Sequence, residues 1–404
     1  MKSLKTLLIL GPGPSSSHTI GPYRIASSFL KELKEREKVD HIEVTLFGSL
    51  ALTGKGHGTD QIIKKAFLGF DTSVLFNPSF KGLSHPNTME CKAFYQDGSS
   101  SQKRYQSIGG GSFVVEGEKR KDEDVYPFKT FEELKKHVKE KKITDLFEVI
   151  RDNDASDIYP YGLKMLHASF DTIERSLEEK GVLPGPLKLK RVAGDVYKNS
   201  SSLKDKTEKR TMLLTSYAYA TSEANANNEL IVTTPTCGAA GVVPACLYYE
   251  WKNHHQNLNN LAKAYLVGAL VCSFIKENAG VAGALLGCQS EIGSAASFAA
   301  ASLSYLYGLS LYQIEYAAEV AMEHFLGLTC DPVDGYVQIP CIERNAIAAI
   351  HAYASFLYAK NIAPARKNRV SFDNVIKAMK ETGTELPYEL KETSLGGLAK
   401  VICS

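Results

Sequence analysis

The feature that most constrains the fold is a change of hydrophobic pattern near residue 131. Up to about residue 116, segments with helical spacing alternate with segments in which every second residue is apolar. From FEELKKHVKEK onward, helical spacing dominates and strand signals nearly vanish. We therefore predict an α+β protein of 404 residues, with an N-terminal mixed α/β domain over 1–140 and a mainly α-helical C-terminal domain over 141–404.

Several elements of the first domain can be predicted from local patterns. PYRIASSFLKELKEREK and GTDQIIKKAFLGF have helical spacing, and Thr59 or Asp60 is the predicted cap of the second helix. HIEVTLFGSLAL is predicted to be one strand, and RYQSIGGGSFVVEG a strand that is interrupted by its glycines. The charged, non-periodic residues 117–130 are expected to form a linker or an exposed loop.

The charge balance excludes several classes of partner. The chain has 47 basic and 45 acidic residues, so it lacks a global attraction to nucleic acid or to an anionic membrane. The apolar run in MKSLKTLLIL is short, and later apolar stretches fall below the roughly 20 residues that cross a bilayer. We expect a cytoplasmic protein with no export signal and no membrane span, which binds a small molecule.

Three glycine-bearing loops stand directly before helical segments: GPGPSSSHTIGP, GKGHGTD and TPTCGAAG. A helix N-terminus presents free amide donors and the positive end of the dipole, so a carboxylate or phosphate would bind there. In the first loop the hydroxyl groups either contact a ligand or only cap backbone groups. His57, between two glycines, is either a substrate contact or a turn residue.

The eight cysteines are too sparse for a disulfide scaffold, so each is expected to be a buried thiol or a metal ligand. Cys288 lies in GCQSEIGSAAS, and Cys330 and Cys341 lie in CDPVDGYVQIPCIERNA. Their spacing is not the compact C-x-x-C pattern of a zinc site. Spacing alone therefore leaves a metal site open.

In these motifs the chain resembles the iron-sulfur L-serine dehydratases (L-serine ammonia-lyases) of bacteria, in their single-chain form. The resemblance rests on motifs that occur in the family's order: GPSSSHTIGP, GKGHGTD, SHPNTM, SIGGGSFV, GVLPGPLKLKR, TPTCGAAGVVPA, GCQSEIGSAAS and CDPVDGYVQIPCIERNA. It implies an N-terminal β domain and a mainly helical α domain that share one active site. This agrees with the division predicted from the hydrophobic pattern.

The resemblance implies a 4Fe-4S cluster that is held by Cys288, Cys330 and Cys341, with one iron left for the substrate. In some members of the family the C-terminal cysteine occupies that iron until substrate displaces it. Cys403 stands where such a tail would be, although one serine follows it here. We therefore expect Cys403 to be a tail ligand.

The resemblance also implies the reaction and the substrate contacts. L-serine would lose water and give pyruvate and ammonia, in a homo-oligomer that we expect to be a dimer. His57 matches the family histidine proposed as the base that removes the Cα proton, and His18 and His85 compete for that role. The residues expected to bind the substrate are Ser15, Ser16, Ser17, His18, Thr19, His57, Thr236 and Gly238.

Some alternatives stay open. Cys237 stands where the family commonly has asparagine before GAAG, so the choice among serine, threonine and cysteine as substrate is not fixed. A dehydratase that uses pyridoxal phosphate would carry it on Lys81 of PSFKGL, with GGGS at 109–112 as the phosphate loop. A non-catalytic amino-acid sensor would keep the anion-binding loops and bind no cluster.

Overall fold

The computed structural model describes residues 1–34, 36–79, 81–118 and 123–403, the last residue by its backbone alone. A mixed α/β part comes first and a mainly helical part follows, so the predicted α+β class is confirmed. The predicted boundary between residues 140 and 141 stays a prediction.

The first part is built around one sheet. Its elements are β1 (Leu10–Pro12), α1 (Gly21–Glu32), β2 (Val39–Phe47), α2 (Ser49–Leu52), α3 (Gly54–His57), α4 (Thr59–Ala66), β3 (Asp71–Asn77), β4 (Thr88–Tyr95), β5 (Ser100–Gly109) and β6 (Ser112–Val115). The sheet order is β3-β2-β4-β5-β6, with β2 and β3 parallel and the other neighbours antiparallel. Ile42, Val44 and Leu46 alternate along β2 and are buried against α1 and α4.

The second part is a packed set of helices. Its elements are α5 (Phe131–Lys141), α6 (Leu146–Asn153), α7 (Ile158–Glu178), α8 (Ala193–Ser201), α9 (Lys206–Ala226), β7 (Leu230–Val232), α10 (Val242–His254), α11 (Leu258–Asn278), α12 (Gly283–Leu286), α13 (Ser294–Leu306), α14 (Leu311–Glu323), α15 (Cys341–Ile362), α16 (Phe372–Glu385) and α17 (Gly397–Cys403). The long helix α11 is apolar on nearly all sides, as expected of a helix inside a core. Among the described helices it alone has the length and apolarity of a membrane span, but 78% of that stretch is buried inside the protein.

The first residues of the chain belong to the helical core. Leu4, Leu7 and Leu8 are buried in the same cluster as the helices α7 to α16. β1 then pairs with β7 in an antiparallel ladder, with Leu10 opposite Val232. The segment that follows, which contains the serine-rich loop, is therefore held against the helical part before the chain enters the sheet.

Two local predictions were wrong, each at a glycine, and a third was incomplete. β2 ends at Phe47, and Gly48 turns the chain at φ +56°, so the residues that follow form α2 and not strand. The register of the β5–β6 ladder shifts between Ser107 and Gly109, as at the bulge that the GGG stretch suggested, but Gly110 and Gly111 then turn the chain, so the segment forms two strands. The cap of α4 is Gly58 at φ +68°, not Thr59 or Asp60.

A methyl group at Gly268 tests how closely α11 and α13 approach. A Cβ there would lie 2.6 Å from the Phe298 carbonyl oxygen and would also overlap the Ser302 hydroxyl. We expect Gly268→Ala to lower the free energy of unfolding by about 1–3 kcal/mol, because a well-packed core does not accept extra volume. Urea unfolding midpoints measure this effect. A change no larger than that of Asn260→Ala, at an exposed position of the same helix, would contradict the close packing.

Candidate active site

A small cavity lies where the two parts of the protein meet. The first part contributes Pro14, Ser15 and His57 to its wall. The second part contributes Gly238, Cys288, Glu291, Cys330, Pro332, Val337, Cys341 and Glu392. The cavity thus combines thiols, carboxyl groups and an imidazole, which is the composition expected of a catalytic or metal site.

Three separate segments bring the thiols together. Cys288 follows the short helix α12, Cys330 forms a parallel β-bridge with Lys391, and Cys341 is the first residue of α15. The sulfurs of Cys288 and Cys330 and a carboxylate oxygen of Glu291 all lie within 4.8 Å of one another. Cys341 lines the same cavity. The structure therefore brings together all three cysteines that the resemblance had singled out.

The neighbouring residue Gln289 fixes the loop that carries Cys288. Its side chain is fully buried, and Nε2 donates to the carbonyl oxygens of Leu286 (2.8 Å) and Met379 (3.2 Å). Its Oε1 accepts from the Gly327 N–H at 3.0 Å. The three partners belong to three segments of the chain. Contacts between distant residues therefore fix the position of Cys288.

A single guanidinium stabilises negative charge on the sulfurs. Arg344, in the first turn of α15, lies partly buried beside the three thiols and forms an ion pair with Asp331 (3.2 Å). A hydrogen bond from Cys330, followed by the charge of Arg344, lowers the pKa of Cys288 to about 7 even though burial opposes the shift. Three thiols beside one cation fit an iron-sulfur cluster that is bound by three thiolates.

Glu291 lies on the sulfur side of the cavity. Its Oε2 is 4.0 Å from the sulfur of Cys330. Burial, and then the charges of Cys288 and Glu392, raise the pKa of Glu291 well above its usual value, so its neutral form is favoured. A Cβ at Gly283 would come within 2.6 Å of this carboxyl oxygen. Only glycine leaves room for the carboxyl group at this place.

His57 presents a free nitrogen to the cavity. Its Nδ1 donates to the Thr53 carbonyl oxygen at 2.8 Å, which fixes the tautomer and leaves the lone pair on Nε2. Nε2 is buried and has no hydrogen-bond partner among the described residues. Burial, and then the neighbouring His18, lower the pKa of His57 to about 3, so the ring is neutral and Nε2 keeps its lone pair.

His18 stacks on His57 with ring centroids 4.4 Å apart, and both of its nitrogens have partners. The Ser17 hydroxyl (3.0 Å) and Glu392 Oε1 (3.3 Å) lie at Nδ1. The Ser49 carbonyl oxygen (3.2 Å) and the Thr53 hydroxyl (3.0 Å) lie at Nε2. Of the two stacked rings, only His57 therefore offers a ring nitrogen to a substrate.

The serine-rich loop is already helical. Ser15 caps a turn over Ser16–Ile20 that continues into α1, and its hydroxyl accepts from the His18 N–H at 3.3 Å. The Thr19 hydroxyl donates to the Pro12 carbonyl oxygen at 2.9 Å and to that of Ser15, so it serves the backbone. Of the loop hydroxyls, Ser15 is the one that also lines the cavity, and Ser16 and Ser17 are buried behind it.

Asn345 holds the TPTCGAAG loop against α15. Its Nδ2 donates to the Gly238 carbonyl oxygen (2.7 Å), and its Oδ1 accepts from the Gly241 N–H (2.9 Å). Gly238 consequently lines the cavity, and Thr236 is buried next to Glu291. Both predicted substrate residues of this loop are thus in or beside the cavity.

Other candidates lie elsewhere. His85 does not line the cavity; its Nδ1 accepts from the Asn87 N–H at 3.0 Å, and burial lowers its pKa to about 4. Lys81 is exposed and lies outside the cavity, whereas a lysine that binds pyridoxal phosphate would line it. Cys237 is buried but does not line the cavity. The side chain of Cys403 lies outside the described residues.

Sequence reasoning missed four residues of the site. Glu291, Arg344 and Asn345 lie within the two cysteine motifs, so their positions in GCQSEIG and CIERNA were the available signal. Glu392, in KETSLGG, belongs to none of the motifs used, and no local signal singled it out.

Comparison with known proteins agrees with this arrangement. Residues 117–399 match the serine dehydratase alpha chain family, and residues 3–77 match the serine dehydratase beta chain family. The chain belongs to the serine dehydratase family. The alpha-chain match contains the cavity thiols Cys288, Cys330 and Cys341, and the beta-chain match contains His18 and His57.

Relatives within the family align over nearly their whole length. The chain is 37% identical to an L-serine dehydratase of Helicobacter pylori, with 99% of each chain covered. It is 36% identical to L-serine dehydratase 2 of Escherichia coli, over 100% of this chain and 99% of the relative. It is 35% identical to an L-serine dehydratase of Streptomyces coelicolor, with 98% of each chain covered.

Removing the Asn345 side chain should release the loop that carries Gly238. We expect Asn345→Ala to lower the free energy of unfolding by about 2–4 kcal/mol, because two buried backbone groups lose their partner. Chemical denaturation measures the loss. Asn361→Ala is the matched control, since this exposed asparagine of α15 bonds only to its own helix at Leu357. An equal effect of the two substitutions would contradict the role of Asn345.

Proposed function

We propose that this chain is an L-serine dehydratase, an ammonia-lyase that converts L-serine to pyruvate and ammonia. The observation that carries the proposal is the pairing, in one cavity, of three thiols with the unpartnered Nε2 of His57. β-Elimination of water needs a group that stabilises the leaving hydroxide and a base that removes the Cα proton. The names of the relatives, all L-serine dehydratases, support the same reaction.

We propose Cys288, Cys330 and Cys341 as the ligands of a 4Fe-4S cluster. When bound, the cluster supplies a Lewis acid that stabilises the charge developing on the leaving hydroxyl group. Arg344 favours the thiolate forms that such a cluster requires. Cys403 stays a prediction as a tail ligand, on the strength of the resemblance.

We propose His57 as the base. The bond from Nδ1 to the Thr53 carbonyl oxygen keeps the lone pair on Nε2, which can take the proton from Cα. The resulting imidazolium would lie near Glu392, whose carboxylate and the two histidines have ligand atoms within 4.8 Å of one another. A positioned base of this kind contributes roughly 10² to 10⁴-fold to the rate.

We propose that the substrate carboxylate binds between Ser15 and the Gly238 loop. Both line the cavity, and Ser15 caps the helical turn that leads into α1. The positive end of a helix favours an anion, and a fixed carboxylate orients Cα toward the base. The aminoacrylate formed by elimination then tautomerises and hydrolyses to pyruvate and ammonia.

The choice of substrate, the oligomeric state and the location in the cell also remain proposals. Serine is the favoured substrate over threonine and cysteine because the relatives carry serine in their names. Since Cys237 lies outside the cavity wall, it would influence selectivity only through the loop it belongs to. A homodimer and a cytoplasmic location stay predictions.

Loss of one proposed cluster ligand should remove iron and activity together. We expect Cys341→Ala, purified without oxygen, to lose bound iron and more than 100-fold in kcat/KM for L-serine, since three thiolates hold the cluster. Iron analysis and pyruvate formation measure the two effects. Cys272→Ala, at a buried cysteine in the helical core, should keep the iron. Iron content at the parent level in Cys341→Ala would remove this residue from the ligand set.

Loss of the proposed base should leave the cluster intact. We expect His57→Gln to retain parent iron content while kcat for L-serine falls by roughly 10² to 10⁴-fold, as for removal of a general base. Exchange of the Cα proton with deuterium from solvent should slow by a similar factor. His41→Gln, at the surface, is the control. Exchange at the parent rate in His57→Gln would assign the base elsewhere.

A further inference from the structure

Glu392 is fixed between the thiols and the histidines by two backbone hydrogen bonds and a side-chain contact. Its backbone N–H donates to the Cys330 carbonyl oxygen at 2.7 Å, and its carbonyl oxygen accepts from the Ser49 hydroxyl at 2.7 Å. Its Oε1 lies 3.3 Å from Nδ1 of His18. The residue therefore connects the second part of the protein, at a proposed cluster ligand, with the first part, at the stacked histidines.

The backbone of Glu392 indicates that its side chain is needed. The residue has φ +57°, in the left-handed region that glycine adopts without strain and that other residues seldom occupy. Such conformations persist where the surrounding structure enforces them, and they are frequent at functional sites. A glutamate at this position, buried and lining the cavity, implies a role for the carboxylate itself.

One oxygen of this carboxylate is unused. Oε2 is buried and has no hydrogen-bond partner in the part of the chain that the structure describes. A buried carboxylate oxygen without a partner is costly, and a cationic donor would relieve that cost. The proposed substrate carries such a donor, its α-ammonium group.

We infer that Glu392 binds the α-ammonium group of the amino-acid substrate. The inference rests on the proposed function and deepens it. An ammonium group on Oε2, at a hydrogen-bond length of about 2.8 Å, places Cα one bond of about 1.5 Å further on. Since ligand atoms of His57 and Glu392 lie within 4.8 Å of each other, an ammonium group on this carboxylate holds the substrate beside the proposed base.

The other carboxyl group of the cavity is less suited to this role. Glu291 lies 4.0 Å from the Cys330 sulfur, on the side where the leaving hydroxyl group must go. The positions of the two carboxyl groups therefore assign the ammonium group to Glu392 and leave the sulfur side to the hydroxyl group.

A comparison of two ligands on the anaerobic holoenzyme tests the assignment. L-serine has the ammonium group, and 3-hydroxypropanoate is the same molecule with hydrogen in its place. We expect Glu392→Gln to raise the KM for L-serine at least 30-fold, at parent iron content, and to change the inhibition constant of 3-hydroxypropanoate less than 3-fold. Glu291→Gln is the matched variant at the other carboxyl group. In this variant the KM for L-serine should not rise relative to the inhibition constant of 3-hydroxypropanoate.

Two outcomes would overturn the assignment while the parent enzyme still forms pyruvate from serine. One is an equal weakening of both ligands in Glu392→Gln, which would make Glu392 a structural residue. The other is an unchanged KM with a lower kcat, which would mean that Glu392 acts through His18. If the glutamine variant does not fold, Glu392→Asp keeps the charge at a shorter reach and should still weaken L-serine more than 3-hydroxypropanoate. Absence of pyruvate with the parent enzyme would instead contradict the proposed function.

Discussion

The buried contact between His18 and Glu392 joins the two parts of the molecule at the cavity. His18 comes from the first part and stacks on His57, while Glu392 comes from the C-terminal segment and is bonded through its backbone to Cys330. The contact thereby sets the distance between the proposed base and the proposed cluster ligands. Because both side chains are buried, loss of either would remove a buried polar contact of the other and would disturb the site.

Burial also decides which form each cavity group takes. It lowers the pKa of His57 and raises the pKa of Glu291, so both are held in their neutral forms. Arg344 acts on the thiols as a cation, and the pKa of Cys288 falls to about 7, whereas the hydrogen bond with Cys288 raises the pKa of Cys330 and burial raises that of Cys341. The cavity thus favours an anionic thiolate at Cys288 on one side and an uncharged imidazole on the other. Elimination of water needs both properties at once.

The sequence predicted those features that depend on local pattern. The change from alternating to helical periodicity defined the α+β class, and Ile42, Val44 and Leu46 marked the buried face of β2. The turns at Gly48 and at Gly110–Gly111 were missed because a glycine signal does not distinguish a bulge from a reversal of the chain. The serine-rich segment was predicted to be a loop before a helix, but the backbone bond from the Thr19 N–H to the Ser15 carbonyl oxygen belongs to a helical turn, which the Ser15 hydroxyl caps.

Features that depend on distant residues could not be derived from pattern. The pairing of Leu10 with Val232 has no local signature, since either strand alone is only three residues long. The spacing of the three cysteines left the metal site open, and the family resemblance was what singled them out. Glu392 could not be found at all, because its role arises from contacts with Cys330, Ser49 and His18, which are far away in the chain.

The proposed reaction depends on an iron-sulfur cluster held by the cavity thiols and on a serine held between that cluster and His57. The most direct measurement is anaerobic reconstitution of the protein with graded iron and sulfide, with iron content and pyruvate formation from L-serine measured on the same samples. We expect the rate of pyruvate formation to rise in proportion to the bound cluster and to be negligible without it. Full-rate pyruvate formation by iron-free protein would contradict it.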